Sequence, residues 1–283
     1  MILSFHPIFE GDKNIICAGR DPGADDLASI KSADAVILPQ GCRESLYQMA
    51  RENCPHVFPD YDAKFKYPGK IGQIHLFRET NAPHPRTETY RTINHLQSTT
   101  DRQPTTDNRQ LTPPFVFKFD WGGEGRNVFL IESQKAFQNV LEKAALFERT
   151  GQNGFLIQEY IPSQNRTLRV VIIGRRIISY WRVQENKETF QSNLASGAFI
   201  DADSDPGLQA EAGAAVRDFC KKTRINLAGF DFLFSSDSES EDKIGTPLFL
   251  EINYFFGRKG LGGSEAFYNL LNTEIRKWLK HLN

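Results

Sequence analysis

Residues 115–131, FVFKFDWGGEGRNVFLI, limit the fold of this chain more than any other stretch. Phe115, Phe117 and Phe119 alternate with Val116, Lys118 and Asp120, the period of a strand with one buried face, and Val128–Ile131 reads as its return. Between the two runs, Gly122, Gly123, Glu124, Gly125 and Arg126 suit a turn and not a packed strand. Successive glycines can aim backbone N–H groups at one point and cradle phosphate oxygens. An ordinary tight hairpin turn has the same composition, so the loop alone leaves both readings open. A dinucleotide-binding loop should open a helix, whereas a strand follows here. A protein-kinase loop has its lysine after the glycines, with HRD and DFG segments that this chain lacks; here Lys118 comes first.

A second constellation lies downstream. Glu251 and Asn253 are two apart on the strand PLFLEIN, so they share one face, while Leu250 and Ile252 are expected on the other. If LAGFDFLF, residues 227–234, pairs with that strand across the polar loop between them, symmetric pairing sets Asp231 opposite about residue 250. Asp231, Glu251 and Asn253 then converge, an oxygen set that suits Mg²⁺ together with substrate phosphates. Decoration of an exposed sheet face is the alternative, and it is less natural in strands so rich in phenylalanine and leucine.

The other periodicities predict an α+β architecture. Apolar runs at 14–18 and 35–39 and a helical stretch from Arg43 to Glu52 make a small α/β unit ending near Tyr67-Pro68-Gly69. A helix over 70–78 follows, then a polar linker at 97–113. Further on come a helix through Ala136, Val140 and Ala144, a strand FLIQEYI at 155–161, and a hairpin turning at Gly174-Arg175. A helix through Leu208, Ala212, Val216 and Phe219 precedes strand 227–234, and a last helix, capped by Ser264, runs through Phe267, Leu271, Ile275 and Trp278. No internal repeat is visible.

At 283 residues the chain is long enough for two or three subdomains around one cleft. Its 34 basic and 35 acidic residues give a formal charge of −1, against any broad basic face for nucleic acid. Cys17, Cys42, Cys54 and Cys220 lack metal-ligand spacing, no secretory pattern opens the chain, and no apolar run reaches the roughly 20 residues that span a bilayer. These features predict a cytoplasmic protein with reduced thiols and no membrane or nucleic-acid partner.

Taken in order, Lys118 with the glycine loop, Gln158-Glu159-Tyr160-Ile161, TLRVVIIGRRIISYWR, FQSNLASG and AGFDFLF…FLEIN resemble the ATP-grasp superfamily, and within it the glutathione-synthetase and RimK-like branch. The resemblance implies an ATP-grasp domain over 70–283 after a small α/β domain at 1–69, with a lid-bearing subdomain at about 114–184 and a metal-bearing one at about 185–283. It implies that Lys118 and the loop Gly122, Gly123, Glu124, Gly125 and Arg126 meet ATP phosphates, and that Gln158, Glu159, Tyr160 and Ile161 meet adenine. Arg169, Arg182 and Asn193 would face the reacting centre, and Asp231, Glu251 and Asn253 would hold Mg²⁺, as two ions, or Mn²⁺.

The implied activity is ATP-dependent carboxylate–amine or carboxylate–thiol ligation through an acylphosphate, on small-molecule or peptide substrates, in a monomer or a homo-oligomer. A non-catalytic, regulatory ATP-binding protein of the same fold is the alternative, and a phosphotransferase making a stable phosphorylated product is a third reading. Surface ion pairing is the bland reading of Arg169 and Arg182, and packing that of Tyr160, Trp181 and Cys220. Three departures stand out: Thr167 where the family often has Asp, Tyr254, Phe255 and Phe256 before Gly257 where it tends to small residues, and LASGA at 194–198 in place of a more basic, double-glycine version. The bulk after Asn253 suggests an unusual acceptor.

Overall fold

The structure is a computed structural model; it describes residues 1–282 except 18, 101–111, 124, 126, 187–196 and 236–244. Three sheets form around separate apolar clusters. In the first, β1 (Ile2–Ser4), β2 (Lys13–Asn14), β3 (Ala35–Ile37) and β4 (Val57–Phe58) lie in the order β2-β1-β3-β4, all parallel. Helices α1 (Ala24–Lys31) and α2 (Glu44–Asn53) supply the crossovers that parallel strands require. Leu3, Val36, Leu46 and Tyr47 are fully buried between them.

After α3 (Asp62–Lys66) and α4 (Gly69–Thr80), the second sheet gathers β5 (Thr87–Tyr90), β6 (Phe115–Phe119), β7 (Val128–Ile131) and β8 (Phe155–Glu159) in the antiparallel order β5-β8-β6-β7. Helices α5 (Ile93–Thr100) and α6 (Gln134–Arg149) cover one face, and Ser133 caps α6 by accepting from the Ala136 N–H at 3.2 Å. Two sequence expectations change here. All five residues of β6 are buried, so both of its faces are covered: the phenylalanines by the helices, and Val116 and Lys118 by the rest of the molecule. The polar stretch at 97–113 begins inside α5, because Ile93 and Leu96 anchor that helix on the aromatic core; residues 101–111 lie outside the described residues.

The third sheet is fully antiparallel, in the order β11-β10-β9-β12-β13: β9 (Arg166–Ile173), β10 (Arg176–Val183), β11 (Phe199–Asp201), β12 (Leu227–Phe234) and β13 (Pro247–Asn253). The hairpin β9–β10, grouped by sequence with the lid strands, pairs with β12 and so stands in this sheet. Helix α7 (Pro206–Thr223) covers one face through Ala212, Val216 and Phe219, packed on Leu168, Val170 and Phe230. Helix α8 (Gly263–Lys280) covers the other face only at its hairpin-turn end, on Val171, Ile173 and Leu227, and also packs on Phe9, Ile37 and Phe58 of the first unit. It starts at Gly263 with Gly262 at φ +80 as its N-cap, not at Ser264, whose hydroxyl instead accepts from Arg258 at 3.4 Å. The uncovered half of that sheet face is the floor of a cleft. Among the described residues, no helix is long and apolar enough to cross a membrane.

Candidate functional site

On β12 and β13, Gly229 pairs with Asn253 and Asp231 with Glu251, after which the register shifts and Phe232 meets Phe249. The bulge leaves Leu250 without an opposite partner. Its consequence is visible in burial: Phe249 and Ile252 both enter the α7 core, while Leu250 and Glu251 both line the cleft. Leu250 is therefore on the cleft face and not, as alternation predicts, behind it. The convergence of Asp231, Glu251 and Asn253 holds, with the Asn253 amide donating to Asp231 Oδ2 at 3.3 Å.

Register also puts Thr167, Arg169, Tyr180 and Arg182 on one face, since Arg182 pairs with Thr167, Tyr180 with Arg169, and Arg169 with Asp231. Arg169 grips the Asp231 carboxylate through Nε and through Nη2, the latter at 3.1 Å, and Arg182 Nη2 approaches Oδ1 at 2.9 Å. These arginines therefore pair with a buried carboxylate inside the cleft and not at the surface. Burial pushes the Asp231 carboxyl up, but Arg169 and then Arg182 outweigh it and hold the group below the usual carboxylate range. Thr167 takes part in the network by accepting from Arg182 Nη2 at 2.9 Å. Arg182 Nε is buried with no acceptor among the described residues.

The opposite wall comes from the second sheet. Lys118 sits between Val128 and Leu156 on neighbouring strands and is 7% exposed. Burial, partly offset by Glu251, brings its ammonium down to about 8, and the charge of Lys70 adds to the fall. Lys70, in the first turn of α4, donates to the Gly122 carbonyl at 2.8 Å and stands 3.8 Å from Glu251. Asp120 caps the same helix turn by accepting from Ile71 N–H at 2.7 Å. A Cβ on Gly69, whose φ is +70, would meet that carboxylate at 2.5 Å, so glycine is required there. The loop itself bends at Gly122 and Gly125, φ +83 and +76, and Asn127 closes it by donating to the Trp121 carbonyl at 3.1 Å.

At the far end, Gln158, 1% exposed, donates from Nε2 to Thr87 Oγ1 at 2.9 Å and leaves Oε1 buried without a partner among the described residues. Val116, Ile161, Leu233 and Leu250 make this end apolar. The whole cleft has a volume of about 540 Å³. Lys118, Gly123, Gly125, Gln158, Glu159, Tyr160, Ile161, Arg169, Arg182, Asp231, Glu251 and Asn253 all line it. Gly122 shapes the loop from its exposed base. Glu124, Arg126 and Asn193 lie outside the described residues, as does most of the LASGA segment.

Trp181 is core, its Nε1 bonded to the Ser204 carbonyl at 2.8 Å, and Cys220 is buried on α7. Tyr254 does not enter the cleft: its ring meets Tyr61 edge-on at 5.9 Å and joins the cores of the first and third sheets. Phe255, 71% exposed, and Phe256 are the bulky residues at the cleft's rim. Sequence reading missed Lys70, Thr87, Leu233 and Leu250. For Lys70 a signal existed, because a lysine in the first turn opposes the helix dipole and needs another reason to be there.

The cleft lining divides into an apolar end, with Val116, Ile161, Leu233 and Leu250, and a charged end, with Lys118, Arg169, Arg182, Asp231 and Glu251, which suits a ligand with an apolar body and an anionic tail. For a cation, Glu251 and the Asn253 amide oxygen are the available ligands. Both Asp231 oxygens already accept two contacts each, from Arg169, Arg182 and Asn253. A second cavity, of about 510 Å³, lies between the Gly174–Arg176 turn and the end of α8. Its acid, Glu274, is bonded to Lys277 at 2.7 Å, and nothing there matches the convergence of groups in the cleft.

The family profile of the RimK-like ATP-grasp domain matches residues 83–262, more than half of the chain. A relative from Xanthomonas oryzae pv. oryzae named probable alpha-L-glutamate ligase is 30% identical over 153 residues, 53% of this chain and 46% of its own. One of the same name from Aeromonas salmonicida is 31% identical over 154 residues, covering 54% and 46%. The chain thus spans about half the length of the curated relatives it matches. Among solved structures, a RimK domain ATP-grasp protein from Sphaerobacter thermophilus aligns over 96% of this chain and 98% of its own, with TM-score 0.63 and 13% identity. D-alanine–D-alanine ligase from Bacillus anthracis, complexed with ATP, aligns over 94% and 84%, with TM-score 0.59 and 14% identity. At such identities the structures share the fold, and it is the family match, across the strands that build the cleft, by which this chain belongs to the RimK-like ATP-grasp family.

Proposed function

We propose that the chain is an ATP-dependent carboxylate–amine ligase, with L-glutamate or a glutamate-ended peptide among its substrates. The observation that carries this reading is the polarity of the cleft: an apolar slot at one end, and Lys70, Lys118, Arg169 and Arg182 around two acids at the other. The names of the curated relatives point to glutamate. The adenine lies among Val116, Ile161, Leu233 and Leu250, against Glu159 and Tyr160, and the phosphates meet Lys118, Lys70 and the glycine loop. Glu251 and Asn253, with Asp231 beside them, are the residues that would hold Mg²⁺, which supplies charge neutralisation between carboxylate and polyphosphate.

In the reaction a carboxylate oxygen attacks the γ-phosphorus of ATP and ADP leaves, giving an acylphosphate. The amine nitrogen then adds to the acyl carbon, phosphate departs with the bonding electrons, and the nitrogen loses a proton. Lys118 offsets repulsion between the two anions while the walls align them. Arg182 and Arg169 line the cleft where an oxyanion would be received. Four buried cysteines without a disulfide suit the cytoplasm.

The reading is tested by ADP release from ATP with L-glutamate and short acidic peptides offered as carboxylate and amine. Acceptor-dependent ADP formation is expected, reduced roughly 100-fold or more by Arg182→Ala or Glu251→Gln. Nucleotide binding with no ADP formed across the panel would instead support the non-catalytic alternative.

A further inference from the structure

The second cavity, of about 510 Å³, is within the size range of small-molecule sites, and its walls are the turn between β9 and β10, the residue before β12 and the last turns of α8. That turn is held on both flanks. The Gly174 N–H donates to the Asn226 carbonyl at 2.7 Å, and a Cβ on Gly174, whose φ is +61, would meet Glu274 Cβ at 3.1 Å. Arg175 and Arg176 thus line the cavity from a fixed turn, and neither side chain has an ion pair or hydrogen bond among the described residues. The acid of the cavity, Glu274, is 4% exposed and bonded to Lys277 at 2.7 Å, so the uncompensated charge is that of the two arginines. Acceptors on the walls are taken up as well. Asn226 Oδ1 accepts from the Asp60 N–H at 2.8 Å, which leaves Nδ2 as the open polar atom of that amide. At the end of α8 the carbonyls of Lys277, Trp278 and Leu279 accept from the His281 ring, the His281 N–H and the Leu282 N–H at 2.7, 3.0 and 3.2 Å. Trp278 supplies a flat apolar wall, set in place by Phe58 at 5.6 Å between ring centroids.

We propose that this cavity is a second binding site, for a phosphate monoester carried on a flat ring. The two guanidinium groups offer forked donors and two positive charges, which match a nearly dianionic phosphate group, and Trp278 receives the ring. A carboxylate on the same ring meets only one of the two charges, and bare phosphate leaves the indole wall in water. From Arg169 to Gly174 the chain runs five residues, roughly 17 Å at the rise of a strand, so a ligand here does not compete with one in the cleft.

The experiment is calorimetry of phenyl phosphate with the full chain at about pH 8, where the ester is dianionic, beside benzoate, inorganic phosphate and phenol as partial ligands. Phenyl phosphate is expected to bind about tenfold or more tighter than any of the three, and to quench tryptophan emission in a way that Trp278→Phe loses. Arg175→Ala combined with Arg176→Ala, at exposed positions where neither side chain holds the fold, should weaken it about tenfold or more. Lys118→Met alters the cleft and not this cavity, and should leave the constant within about twofold. No binding of phenyl phosphate, benzoate bound as tightly, a constant unchanged in the double-alanine variant, or one weakened as much by Lys118→Met overturns the proposal. The ligase reading stands in each of these cases, because its own test is read at the cleft.

Discussion

Lys118 carries its charge where the surroundings oppose it: burial and the nearby Lys70 lower its affinity for a proton, and only Glu251 and Asp231 support it. Since the folded group titrates at about 8 and the free side chain near 10.5, the unfolded chain binds more protons between those values. Stability contributed by this residue therefore rises with pH across that window, and its cost is fully present below pH 8. Binding an anion has the opposite sign, because it needs the ammonium. The ATP dissociation constant should be flat up to about pH 7.5 and weaken about tenfold by pH 9, and Lys118→Arg should flatten the profile. Lys118→Met should bind ATP poorly yet melt about 3 to 6 °C higher at pH 7, through loss of a buried, poorly paired charge. Calorimetry across pH and a thermal melt check both, and a pH-independent affinity in the parent would remove Lys118 from the phosphate site.

Pairs of strands show what the sequence could and could not disclose. Loop symmetry predicts the partner of Asp231 to within one residue, because pairing next to the loop is set by loop length, and Phe232 opposite Phe249 obeys it. The bulge one step further depends on packing from both sheet faces, so neither the Asp231–Glu251 pair nor the turning of Leu250 into the cleft was legible. Strand β5, TETY, was hidden for a similar reason: it has no apolar alternation and exists by pairing with β8. The hairpin and the convergence of Asp231, Glu251 and Asn253 were legible because spacing within one or two strands defines them. The outer edge of β13 depends on a distant helix, for Gln73 of α4 donates to the Ile252 carbonyl at 2.9 Å and accepts from its N–H at 2.8 Å. That two-bond clamp lies between Glu251 and Asn253. Gln73→Ala should cost about 1 to 3 kcal/mol in denaturant unfolding and weaken MgATP binding more than it weakens binding of ATP without metal. Equal losses in the two titrations would mean that the clamp serves the strand and not the cation side.

Across the whole molecule, the first unit is fastened to the third sheet beside the cleft and not through its apolar slot. Arg224, at φ +61 after α7, reaches Asp60 at 3.3 Å and also bonds Asp62, which accepts from Tyr47 Oη at 2.7 Å and from Arg51 at 3.3 Å. Asn226 accepts from the Asp60 N–H at 2.8 Å, and Tyr61, next in the chain, packs on Tyr254. Asn253 therefore stands one residue from this junction. Burial already raises the Asp60 carboxyl, so Arg224→Ala leaves two neighbouring carboxylates with less positive charge at neutral pH. A raised acid destabilises above its folded pKa, so the loss should be larger at neutral pH than in acid, where Asp60 takes up its proton earlier than a free carboxyl does. At pH 7 the melting temperature should fall by about 2 to 5 °C. Because Gln158 and Val116 of the apolar slot belong to the second sheet, the ATP dissociation constant should stay within about twofold, while the KM of the acceptor rises severalfold through the loop after Asn253. If ATP affinity falls as much as acceptor affinity, the first unit supports the cleft as a whole and has no particular bearing on the acceptor side.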